Sequence, residues 1–161
     1  MATEKIMTLN ASHEATVKAW LRTYLEEHLS WWAQAYGTQA NRSLEDLVER
    51  DWAFLLKNSK EANKYVVILG DKLPLGIVHC ETRIDRYMNI KLGTLGWIYV
   101  DEDARGQGIS HKLMQAADAW MKTQGAEGRE VFVTATNKAA VKLYERFGYQ
   151  KVDYRMLGVK P

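Results

Sequence analysis

Leu95 to Gln124 reads LGWIYVDEDARGQGISHKLMQAADAWMKTQ, and its apolar period changes halfway along. Trp97, Ile98, Tyr99 and Val100 form a short aromatic and β-branched run ended by a polar cluster, which predicts a strand. Ile109, Leu113, Ala116, Ala117 and Trp120 recur at spacings of three and four and share one face of a helix. Between the two stand Arg105, Gly106, Gln107 and Gly108. Glycine lets the backbone turn sharply and leaves no Cβ to keep a ligand away. The helix that follows points its unpaired N–H groups and the positive end of its dipole at the loop. A strand, glycine loop and helix in this order form an anion corner suited to a phosphate or pyrophosphate. An ordinary strand-to-helix turn is the competing reading at this point.

Working outward, the chain of 161 residues is expected to form a single domain over 1–161. Apolar residues make up 47% and charged residues 26%, an ordinary globular balance. The net charge of +2 argues against nucleic acid as a partner. Residues 12–56 carry a net −3 and residues 57–100 a net +3, so the N-terminal part is mildly acidic and the centre basic. Cys80 is the only cysteine, which points to a reducing, cytoplasmic setting. His13, His28, His79 and His111 lack metal-ligand spacing, and no metal is expected. No signal peptide and no run of about 18 apolar residues is present, so no membrane association is expected.

In chain order, Lys5 to Leu9 predicts a strand and Asn10 or Ser12 the cap of a long helix carrying Val17, Trp20, Leu21, Tyr24, Leu25 and Leu29. Trp31, Trp32 and Tyr36 follow, then a break at Gly37. Ser43 and Asp46 open a second helix. The aromatics Trp20, Tyr24, Trp31, Trp32, Tyr36 and Trp52 fit either a plain core or a pocket for an organic cation. Lys64 to Leu69 and Ile77 to Arg83 predict a hairpin, and three successive strands without a helix imply antiparallel pairing. Downstream, Glu130 to Ala135 predicts a strand, and Thr136–Asn137 begins a helix with Gly148 at its end. Tyr149 to Val159 predicts one or two final strands.

Two familiar phosphate loops fail against the glycine segment. Gly108 is followed by Ile109-Ser110 rather than Lys-Ser/Thr, and His111 stands where a third glycine of a dinucleotide fingerprint would be. Val100 to Leu113, VDEDARGQGISHKL, instead resembles the acetyl-CoA-binding segment of the GNAT superfamily of N-acetyltransferases. The family pattern Gln/Arg-x-x-Gly-x-Gly/Ala falls on Arg105 to Ser110, with Ser110 in place of the usual last residue. Asn137 to Tyr149, NKAAVKLYERFGY, resembles the family's N-x-x-A-x-x-x-Y-x-x-x-G-F/Y segment. The resemblance covers about residues 64–160 by motif and the first 60 by architecture only.

This resemblance implies an α/β (α+β) GNAT fold: a central, mostly antiparallel mixed sheet flanked by helices, in the order β-α-α-β-β-β-α-β-α-β. It implies acetyl-CoA as cofactor, with the pyrophosphate on the main chain of Arg105, Gly106, Gln107, Gly108, Ile109 and Ser110. Ile98 and Val100 would hold the pantetheine arm, Asn137 would touch the cofactor, and Tyr144 would face the thioester sulfur as general acid. Many members carry a base as glutamate just before the strand's Ile-x-Val, where this chain has Gly96-Trp97. Glu81 is the first substitute, followed by Asp85 and His79. The acceptor is expected to be a small-molecule amine, cationic in view of the acidic, aromatic N-terminal part. Arg83 to Asn89 faintly resembles that region of aminoglycoside acetyltransferases. Acetylation of a protein N-terminus or lysine, and a CoA-binding sensor without catalysis, are the alternatives; a homodimer is left open.

Overall fold

The computed structural model describes residues 4–157. Five strands form one sheet in the order β1-β2-β3-β4-β5: β1 (Lys5–Thr8), β2 (Lys64–Gly70), β3 (Pro74–Ile84), β4 (Lys91–Val100) and β5 (Gly128–Val131). The first four pair antiparallel, as expected of strands joined without a helix. β4 and β5 are parallel, because helix α3 (Ile109–Thr123) carries the chain back between them.

Two helices, α1 (Glu14–Tyr36) and α2 (Leu44–Asn58), cover one face of the sheet. Their buried Val17, Trp20, Leu21, Val48, Trp52 and Leu55 pack on Leu9, Val66, Ile68 and Ile77. On the other face, α3 and α4 (Lys138–Arg146) pack through Ile109, Leu113, Met114, Ala117, Met121 and Tyr144 on Val67, Leu69, Val78, Cys80 and Leu95. β3 is therefore buried on both sides from Gly76 to Cys80, while β4 is deeply covered only over Gly93 to Leu95.

Local chemistry sets the ends. Asn10 caps a short 3-10 turn ahead of α1, and Gly37 ends α1 at φ 68° in the left-handed region. The Ser43 hydroxyl accepts from the Asp46 N–H, and the Asn137 side chain accepts from the Ala140 N–H.

Two expectations need correction. The strand read over Glu130 to Ala135 lies earlier, at Gly128–Val131, and Phe132 is 83% exposed. β5 pairs with β4 only from Leu92 to Leu95, and a bulge at Gly96 then redirects β4, so residues 132–135 have no ladder to join. The final strand read over Tyr149 to Val159 does not form over residues 149–157; Gly158 and Val159 lie outside the described residues. That segment has strand propensity but no partner edge, and propensity needs a packed pleated surface to be realised.

Candidate functional site

The loop between β4 and α3 has the geometry of an anion corner. Asp101 caps the 3-10 turn Glu102–Ala104 through its side chain, and its N–H bonds Leu75 O, so the end of β4 is fixed. Trp20 Nε1 donates to Asp101 Oδ2 at 2.7 Å, which ties α1 to the same corner. Gly106 and Gly108 then adopt φ 77° and 79°, a conformation that costs other residues about 1–2 kcal/mol. The first α3 bond is Lys112 N–H to Gly108 O, and among the described residues no acceptor takes the N–H groups of residues 106–111. Six successive donors thus stand without a protein acceptor at the positive end of a helix of 15 residues.

The space above that loop is open. A Cβ built at Gly106 or Gly108 would meet nothing within 4 Å. Arg105 is exposed and holds its guanidinium 5.7 Å from the Tyr99 ring centroid, and the Gln107 side chain donates to Asp103 O at 2.9 Å. Ile109 is buried and anchors the helix start, while Ser110 is half-buried beside it. A pyrophosphate fits these residues, because free main-chain donors and an absence of Cβ atoms are what such a group requires.

The remaining sequence-assigned residues lie on two sides of the sheet. Ile98 and Val100 are half-buried at the end of β4. Asn137 caps α4, and Tyr144, 8% exposed, sits 5.9 Å from the Tyr149 ring. Burial pushes the Tyr144 phenol well above its ordinary pKa, and that of Tyr149 up to about 12. Glu81 lies further down β3, in an ion pair with Lys64 of β2 and opposite Thr94 of β4. Thr94 is four residues before Ile98, roughly 13 Å along an extended strand, so the fold does not bring Glu81 beside Ile98. Asp85 is occupied in the β3–β4 turn, accepting the N–H groups of Tyr87 and Met88.

Gly96 has a local reason to be glycine. His79 pairs with Trp97 while Cys80 pairs with Leu95, which makes Gly96 the extra residue of a β-bulge. A Cβ there would overlap His79 Nδ1 and lie 2.9 Å from its Cε1. A glutamate cannot stand at this position while His79 keeps its place. His79 itself is 4% exposed, with the Asn58 amide 3.2 Å from Nε2 and the Phe54 ring edge-on at 5.5 Å. Burial lowers its pKa to about 4.

Two groups carry no local signal in the sequence. Asn58 acts across 21 residues, and no local pattern marks that contact. Arg129 of β5 donates to Asp118 of α3 at 2.7 Å and to Phe147 O at the end of α4 at 2.9 Å, joining three elements. Along α1 an aromatic band runs toward Gly96: the Tyr24 ring is 5.6 Å from Trp97 and 3.8 Å from His28, and His28 is 4.7 Å from Trp31. Among the described residues no group of three His, Cys, Asp or Glu could hold a metal, and no helix is long and apolar enough to cross a membrane.

The chain is 28% identical to an uncharacterised N-acetyltransferase of Methanocaldococcus jannaschii over 103 residues, covering 63% of this chain and 46% of that protein. It is 32% identical to N-alpha-acetyltransferase 30 of Schizosaccharomyces pombe over 85 residues, covering 53% and 55%. The chain thus spans about half the length of these curated relatives. A Pyrococcus furiosus protein described as an acetyl transferase superposes with TM-score 0.74 at 23% identity, over 99% of each chain. An aminoglycoside N-acetyltransferase solved with CoA superposes with TM-score 0.69 at 15% identity, over 99% and 96%. The acetyltransferase (GNAT) family model matches residues 18–149. The chain belongs to the GNAT family of acetyltransferases.

Proposed function

We propose that the protein is an acetyl-CoA-dependent N-acetyltransferase that acts on a primary amine of a small cationic acceptor, by direct attack on the thioester. The observation that carries this reading is the run of six free N–H groups at residues 106–111, set at the end of β4 and the head of α3. Arg105 to Ser110 would hold the pyrophosphate, the main chain of Ile98 and Val100 the pantetheine arm, and Asn137 the flank of the same groove. Acetyl-CoA supplies the activated acyl group when bound.

The chain's own residues then manage protons. An acceptor ammonium must shed two protons in all, one ending on the departing sulfur and one in solvent. With its pKa raised by burial, Tyr144 stays a neutral phenol at physiological pH and donates a hydrogen bond to that sulfur. Glu81, opposite Thr94 and linked through solvent, takes up the other proton. For the acceptor, the band of Tyr24, His28, Trp31 and Trp97 offers ring faces to an organic cation. The charge of Asp51 on α2 reaches the Tyr24 phenol and favours positive charge there. The lone cysteine, Cys80, is buried with its thiol pushed up by burial, which suits a reducing cytoplasm.

A second reading, acetylation of a protein N-terminus, draws on the identity to N-alpha-acetyltransferase 30 in two yeasts. One assay separates these readings: release of CoA thiol from acetyl-CoA with polyamines, aminoglycosides, amino acids and peptides of varied N-terminus. Turnover with small cations and none with peptides supports the proposal, and the reverse supports the second reading. Stabilisation by CoA with no turnover on either set indicates a sensor domain. In the active case Tyr144→Phe is expected to lower kcat by about 10²-fold.

A further inference from the structure

We propose that His79, held by Asn58, donates a hydrogen bond from Nδ1 to the thioester carbonyl oxygen through the notch left by Gly96; this rests on the acetyltransferase reading above. Asn58 presents its amide nitrogen to His79 Nε2 at 3.2 Å. An amide nitrogen can only donate, so Nε2 accepts, and a neutral imidazole then carries its proton on Nδ1. Among the described residues no protein group takes a hydrogen bond from Nδ1. That edge of the ring faces the Gly96 bulge, where a Cβ would overlap it and where Gly96 is itself exposed.

The location follows from the strand. A pantetheine arm lying along β4 from the glycine loop passes Val100 and then Ile98, and the next position is the Gly96–Trp97 bulge. A donor fixed there meets the acyl group as its oxygen gains charge, where a preorganised hydrogen bond contributes most. The imidazole is rigid: Phe54 packs edge-on against it and Asn58 fixes its tautomer. The charged groups that reach it are Glu81 of its own strand and Lys64 of β2, with opposite effects on its protonation. His79 is thus a catalytic residue by contact and Asn58 a positioning residue.

The test uses the full chain and reads the tautomer as well as the rate. Nitrogen-15 spectra of His79 at pH 7 are expected to show Nδ1 protonated, with this signal shifted by acetyl-CoA more than by CoA. His79→Phe is expected to lower kcat about 10²-fold with KM for acetyl-CoA within twofold, since one oxyanion donor is worth 10²–10³ in kcat. Asn58→Asp places an acceptor against Nε2, so Nδ1 keeps its proton only in the imidazolium form. The rate of that variant is expected to fall as pH rises through the new histidine pKa, a limb that wild type lacks. An Nε2-protonated tautomer in wild type, or an Asn58→Asp profile parallel to wild type, overturns the proposal. Failure of the acetyltransferase reading looks different: no thermal stabilisation by CoA and no thiol release in wild type.

Discussion

His79 makes acid stability a residue-scale property. Its folded pKa of about 4 lies below the value of about 6.5 in an unfolded chain, because burial disfavours the imidazolium. Between those values the unfolded state binds the extra proton, so stability rises with pH through the window and is complete above about 6.5. A shift of this size corresponds to about 3 kcal/mol lost as pH falls to 4. The carboxylates of Glu45 and Glu130 behave differently: hydrogen bonds from Arg22 and Arg83 lower their pKa values. Their contribution is present above the ordinary carboxylate range and is lost only as pH falls below it, under most of the histidine window. Urea unfolding at pH 7, 5.5 and 4.5 is therefore expected to show a steeper loss in wild type than in His79→Gln. Parallel curves for the two proteins would contradict the buried, neutral state of His79.

At the scale of elements, the glycine loop separates ligand effects from fold effects. Gly108 is left-handed at φ 79°, so Gly108→Ala is expected to cost about 1 kcal/mol of stability through backbone strain. Its Cβ meets nothing within 4 Å in the free protein, so any loss of CoA affinity beyond that strain measures contact with the ligand. CoA at a hundredfold over its Kd is expected to stabilise wild type by about 2.7 kcal/mol and this variant by markedly less. Equal stabilisation would place the pyrophosphate elsewhere. The loop was legible in the sequence because everything that defines it is local: the aromatic strand, two glycines and the period of α3. The caps at Ser43 and Asn137 were legible for the same reason. What escaped was decided at a distance. β5 ends at Val131 because a bulge on another strand removes its partner, and nothing within Glu130 to Ala135 reports a bulge at Gly96. The chain after Tyr149 has strand composition, but composition does not supply an edge. Gly96 itself was read as a missing carboxylate; the structure gives it a steric role against a ring 17 residues earlier in the chain.

At the scale of the molecule, the sheet divides the work. Its α3–α4 face and the end of β4 carry the glycine corner proposed for the cofactor, and its α1–α2 face carries the aromatic band, with Trp20 and Asp101 bridging the two. Each helix must be held at a fixed angle for groups on opposite faces to converge, and α4 is the element with least to hold it. It has nine residues and one deeply buried side chain, Tyr144. Arg129 supplies the missing restraint. It donates to Asp118 and to Phe147 O, and its guanidinium lies 4.8 Å from the Tyr149 ring centroid. The bond to Phe147 O satisfies a carbonyl that the helix end leaves open, and the charge favours the negative end of the dipole. Arg129→Leu removes both bonds and leaves Asp118, one oxygen of which is already buried without a partner, wholly unpaired. A loss of about 2 kcal/mol is expected, roughly 4–8 °C in Tm for a chain of this size. Because Tyr144 rides on α4, kcat is expected to fall further than the Tm alone implies, at temperatures where the variant remains folded. Binding of CoA at the proposed site over residues 106–111, at the head of α3, is expected to stay close to wild type. A variant with lowered Tm and unchanged kcat would mean that α4 is positioned by its packing on α3 alone, and that Arg129 serves stability without setting the geometry of Tyr144.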